Sequence, residues 1–195
     1  MLLASPDTSF TRHWYVTVDR NVRGVSPAEV EDVVEDVLND PMGWKRMGYH
    51  FKKIAASQAR SMHPRAVFHI RLCHPSVVMS QCNIRDRSCA DLRENKIYLN
   101  ADRWAHGAPI AKLTLDQYRR ALVGHEVGHL LSFDHVTCPG QGSQGDVMQE
   151  FTRLGWQGCT SSIRPTLTTR QRLSKSVRKS VRKVAPQTSR NRERR

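Results

Sequence analysis

One eleven-residue stretch limits the folds open to this chain: His125-Glu126-Val127-Gly128-His129-Leu130-Leu131-Ser132-Phe133-Asp134-His135. Histidines four apart share one helix face, so His125 and His129 reach a single ion when a helix carries them. His135 cannot join them on an unbroken helix, because ten residues from His125 carry it about 80° off the shared face. The helix must therefore stop between Leu131 and Asp134, and His135 must return from the following loop.

These residue types imply a particular chemistry. Hydrolytic zinc sites take three protein ligands and keep a fourth position for water. His125, His129 and His135 are neutral ligands, so Zn²⁺ would keep its full charge and bring the pKa of water toward about 7. Glu126 is not a ligand. It is placed as the general base that takes a proton from zinc-activated water and passes it to the leaving amine. The reading is a zinc-dependent endopeptidase with a peptide or protein substrate. Asp134 is the backup third ligand. A structural zinc site closed by His125, His129, His135 and Cys138 is one rival, but it leaves Glu126 idle.

The rest of the chain supplies a scaffold for such a helix. Trp14, Val16 and Val18 alternate with polar neighbours as in a half-buried strand. Ser26-Pro27-Ala28-Glu29 reads as a capping box with proline at the first helical position, followed by a stripe of Val30, Val33, Val34, Val37 and Leu38. Asp40-Pro41 ends that helix. Strands are expected near residues 49–54, over residues 66–72 and at Lys96–Asn100. A second capping box at Thr114-Leu115-Asp116-Gln117 opens the histidine helix, whose buried stripe continues through Tyr118 and Leu122. Two long helices with interspersed strands predict an α+β domain with a mixed, twisted sheet. His69 reads as a plain surface or packing histidine rather than a ligand, and His13, His50, His63, His74 and His106 lack ligand spacing.

The three-histidine pattern resembles the metzincin clan of zinc peptidases, whose motif H-E-x-x-H-x-x-G-x-x-H is followed by a methionine turn. His125, Glu126, His129 and His135 match its ligand and base positions, and Met148 lies where that turn would fall. A methionine after a short loop is otherwise simply core filler. More closely, His-Glu-Val-Gly-His, His-Val-Thr-Cys-Pro-Gly, Val-Met-Gln and Trp-Gln-Gly-Cys resemble an uncharacterised bacterial zincin-like domain of unknown function. Asp40-Pro41-Met42-Gly43-Trp44 and Asn100-Ala101-Asp102-Arg103-Trp104 fit it too, so the resemblance spans roughly residues 12–160. It implies a zincin/metzincin-like catalytic domain, often secreted and with paired cysteines. It also implies substrates bound as an added strand, with Lys96–Asn100 the expected sheet edge. The clan's turn glycine is Ser132 here. If that position needs positive φ, serine costs on the order of 1 kcal/mol.

Charge divides the chain in two. Of the net +13, residues 164–195 hold +11, from twelve Lys/Arg against Glu193. The expected layout is a catalytic domain over residues 1–163 and a basic, disordered tail over 164–195, in which Leu173, Val177, Val181 and Val184 only hint at a helix. Such a tail could bind a polyanion, either nucleic acid or an anionic membrane. Hence the other rival, a catalytically inactive zincin-like binding protein working through its tail. No apolar run is long enough to span a membrane, and residues 1–6 do not read as a signal peptide. A monomer is expected. The five cysteines form no C-x-x-C. Cys138 with Cys159 is the expected bridge, with one more among Cys73, Cys82 and Cys89 and a spare thiol, in an extracellular or oxidising setting. Five reduced cysteines in a reducing compartment is the alternative.

Overall fold

The computed structural model describes residues 11–166 and Thr169. Its elements run β1 (Thr11–Val18), α1 (Pro27–Asn39), β2 (His50–Lys53), α2 (Ala56–Ala59), β3 (Val67–Cys73), α3 (Pro75–Cys82), β4 (Cys89–Asp91), β5 (Lys96–Asn100), α4 (Ala101–His106), α5 (Leu115–Leu130) and α6 (Phe151–Leu154). This is an α+β arrangement around one five-stranded mixed sheet of order β2-β1-β3-β5-β4. Every neighbouring pair is parallel except β4 with β5.

Local chemistry explains the two long helices. Ser26 Oγ accepts from Glu29 N–H, and the Glu29 carboxylate accepts from Ser26 N–H, with Pro27 at the first helical position. Thr114 and Gln117 repeat the reciprocal cap at the start of α5. Each box satisfies two backbone donors that a helix start would otherwise leave bare. Val30, Val34, Val37 and Leu38 of α1 are buried, as expected from their spacing. They join Phe68, Ile70 and Leu72 of β3, Ile97 and Leu99 of β5 and the buried side of α5 in the main core. On the opposite face, α3 covers a smaller cluster of Cys73, Val78, Cys89 and Tyr98.

The sheet order corrects one expectation. Lys96–Asn100 is not an edge but lies between β3 and β4. The edge on that side, Cys89–Asp91, is three residues long and folds back on β5 through a tight turn. There Asp91 Oδ1 accepts from Arg93 N–H at 2.8 Å, and Asn95 takes φ 51°. A strand this short carries no readable alternation.

His69 lies outside the histidine cluster and packs against its neighbours. Its ring stacks on Tyr15 with centroids 4.4 Å apart, and its Nε2 lies 2.8 Å from Thr17 Oγ1. Burial, then the nearby Lys96 and Arg71, push its pKa down to about 4. Disulfides join Cys82 to Cys89 and Cys138 to Cys159, while Cys73 stays a buried thiol. Two bridges suggest an oxidising setting. No helix among the described residues is long and apolar enough to cross a membrane. The basic tail expected from Arg164 onward falls outside the described residues except for 164–166 and Thr169, which are tied to the domain.

Candidate metal centre

α5 places His125, Glu126 and His129 on its inner side and stops at Leu130. The stop is built from two backbone bonds: Ser132 N–H to His129 O at 2.8 Å and Phe133 N–H to Gly128 O at 2.9 Å. This is the Schellman pattern, and it puts Ser132 in the left-handed region with φ 68°. Phe133 then packs on Trp44, centroids 4.9 Å apart, and the chain turns back to deliver His135.

The three rings converge. Nε2 of His129 lies 3.1 Å from Nε2 of both His125 and His135, and the last two are 3.2 Å apart. Two of the rings have a fixed tautomer. His125 Nδ1 donates to Val147 O at 2.8 Å, and His129 Nδ1 donates to Phe133 O at 3.0 Å, because a carbonyl can only accept. Their Nε2 atoms therefore present lone pairs to one another, which repel unless a cation lies between them. Burial also lowers all three pKa values, that of His125 to about 3, and so favours the neutral, ligating form. Nitrogens at 2.0–2.1 Å from a tetrahedral zinc sit about 3.4 Å apart, so the donor set fits such an ion. These residues form a cluster able to hold a metal ion.

Other candidates fall away. Asp134 is outside the cluster and solvent-exposed. Cys138, the fourth ligand of the structural-zinc rival, has its sulfur bonded to Cys159 and cannot be a thiolate ligand. This corrects that alternative.

A cavity of about 290 Å³ opens beside the histidines, with Arg87, Ala90 and Leu92 on its lining together with Glu150, Phe151 and Arg153. Glu126 also lines it. Burial pushes the Glu126 pKa up to about 8, against the opposing pull of Arg87. A divalent ion in the cluster would favour the carboxylate.

Met148 lies under α5 in a tight turn. Asp146 O accepts from Gln149 N–H at 2.9 Å, and Asp146 Oδ1 accepts from Met148 N–H at 2.7 Å. Met148 is fully buried, and its sulfur occupies the space that a side chain at Gly128 would need. Its carbonyl accepts from Val136 N–H at 3.1 Å, tying the turn to the loop that carries His135.

Three contributors escaped the sequence reading. Trp44 Nε1 donates to Gly124 O at 3.1 Å, bracing the helix. Asp146, buried, shapes the Met148 turn. Arg87 faces the cavity from a loop without periodicity, and its only signal was the pair of cysteines around it. A family described as "Protein of unknown function (DUF3152)" matches residues 9–164. No curated protein matches the chain.

Proposed function

This chain belongs to the DUF3152 family, and we propose that it is a zinc-dependent endopeptidase with a zincin-like catalytic domain. The observation that carries the reading is the convergence of three Nε2 atoms within 3.2 Å of one another beside a glutamate in an open cavity. His125, His129 and His135 would hold the ion. Bound there, zinc supplies a Lewis acid that polarises a substrate carbonyl and acidifies water. Glu126 is the general base: it accepts the proton of the attacking water and returns it to the leaving nitrogen. Its burial raises its pKa and so strengthens it as a base. Met148 floors the site.

The substrate class follows from the cavity's rim. The edge strand β4 contributes Cys89 and Ala90 to the lining, and among the described residues no strand pairs with its outer side. An extended peptide can add to such an edge by backbone hydrogen bonds, which would lay it along the cavity lined by His125 and Glu126.

Glu126→Gln should retain stoichiometric zinc and lose about 10²- to 10⁴-fold in cleavage of an unstructured protein such as casein. A chelator should abolish cleavage in the parent, and His129→Ala should lose the zinc. Undiminished, chelator-sensitive cleavage by Glu126→Gln would reject the assignment of the base.

A further inference from the structure

The cavity holds a cation for which the proposed hydrolysis has no use. Arg87 sits on the loop between α3 and β4, and that loop is unusually constrained. The Cys82–Cys89 disulfide closes its two ends. Asn100 donates through its amide to Arg85 O at 3.1 Å, and its backbone N–H donates to Ser88 Oγ at 3.0 Å. Arg103 Nε donates to Asp86 O at 2.6 Å. Ile84, Arg87 and Ser88 of this loop line the same cavity as His125 and Glu126.

The guanidinium of Arg87 is held more loosely than similar arginines, by two long ion pairs and no hydrogen bond among the described residues. Its side chain is 33% exposed, close to Arg71 at 30% and Arg120 at 31%. Arg71 makes two hydrogen bonds to Asp19, at 2.7 and 2.9 Å. Arg120 binds Asp116 at 2.9 Å and Asp36 at 2.8 Å. Arg87 makes no side-chain hydrogen bond among the described residues: Asp86 lies 3.5 Å away and Glu150 3.8 Å. Glu150 is instead held by Arg153, at 3.1 and 2.8 Å. The surrounding Ile84, Ala90, Leu92 and Leu122 are apolar, so a charge entering here interacts in a low-dielectric wall. A planar guanidinium in such a place binds a carboxylate in forked geometry.

We propose that Arg87 anchors a carboxylate of the substrate, which makes it the specificity-determining residue of the cleft. This rests on the metallopeptidase reading above. The carboxylate is either an acidic side chain next to the scissile bond or the free C-terminus of a peptide, the second of which would make the cleavage terminal rather than internal. The disulfide loop is its rigid mount, so recognition costs little reordering on binding.

The test uses zinc-loaded full-length protein carrying Glu126→Gln, so that bound peptide is not consumed. Four N-acetylated peptides of one sequence carry either Glu or Gln at a single position, and each ends in a free acid or an amide. Calorimetric titration should show at least tenfold tighter binding of one carboxylate-bearing member than of the Gln amide. The peptide that gains identifies the source as side chain or C-terminus. Adding Arg87→Met should bring that ratio close to one while zinc content and melting temperature hold, and Arg87→Lys should restore it only in part. Equal binding of all four peptides, or a preference that survives Arg87→Met, overturns the proposal. Hydrolysis by the unsubstituted protein is scored separately. Chelator-sensitive cleavage with no carboxylate preference keeps the peptidase and rejects Arg87. Carboxylate preference without cleavage does the reverse.

Discussion

Val147 turns its carbonyl oxygen to His125 Nδ1 at 2.8 Å. Its own N–H donates to Arg164 O at 3.0 Å, so the orientation of the first histidine is linked to the backbone at Arg164. Asp146 adds a second link, accepting through Oδ2 from Thr166 N–H at 2.8 Å, Thr166 Oγ1 at 2.6 Å and Thr169 Oγ1.

Truncation separates this clamp from the basic tail. Removing residues 170–195 spares the clamp; removing residues 164–195 takes it away. Groups that orient metal ligands are worth about 10- to 100-fold in metal affinity, and the longer deletion should lose that much. Competition with a chromophoric chelator measures it. Both deletions should lose salt-sensitive retention on heparin, as expected if the tail's cations bind polyanions. Equal zinc affinity in the two proteins would count against the clamp.

Ser132 occupies the left-handed position that ends α5. Relief of that strain outweighs the extra freedom glycine gives the unfolded chain, so Ser132→Gly should stabilise by about 0.5–1 kcal/mol. Ser132→Val should destabilise by about 1–2 kcal/mol and weaken zinc binding through His135. Denaturant midpoints read both. A less stable glycine variant would show that the turn is held by something other than backbone conformation.

Gly128 admits Met148 and Trp44 against the helix. A Cβ there would meet the Met148 sulfur and lie 2.8 Å from the Trp44 ring. Gly128→Ala should cost about 1–3 kcal/mol, as overpacking does, and lower zinc occupancy. Met148→Ala in that background should recover part of the loss, and a double-mutant cycle measures the coupling. Strict additivity would place the clash elsewhere.

His69 supplies a pH dependence outside the metal cluster. Its folded pKa of about 4 lies below the ordinary 6.5, so the unfolded chain binds the extra proton between these values. Its contribution is complete above pH 6.5 and is lost as pH falls toward 4, by about 2–3 kcal/mol. The loss follows from charging a ring packed on Tyr15 beside Arg71 and Lys96, which the nearby Asp19 offsets only in part. Unfolding of the parent and His69→Gln, both in chelator, isolates the effect, because the three site histidines then cancel. Parallel stability curves over that range would contradict it.

What could be read from the chain was local. The caps at Ser26 and Thr114, the stripe of α1 and a helix break before His135 each depend on residues within a few positions; the caps and stripe stand as expected, and the helix ends at Leu130 with Leu131 as its cap, at the near limit of the expected stop. The sheet order was illegible because β4 is only three residues long, so β5 was mistaken for the edge. Arg87, Trp44 and Asp146 enter the site through contacts between segments far apart in sequence, which no periodicity encodes. The bridge between Cys138 and Cys159 was expected, while the middle three cysteines offered no way to choose Cys82 with Cys89.

Cys73 bears on how the molecule matures. A fifth thiol beside two forming bridges can attack either of them, because thiolates drive disulfide exchange. In the finished protein its sulfur lies within the sheet, 3.7 Å from Leu99 O, and burial pushes its pKa up to about 11. Docking of β3 between β1 and β5 therefore withdraws this internal nucleophile from exchange with the two bridges.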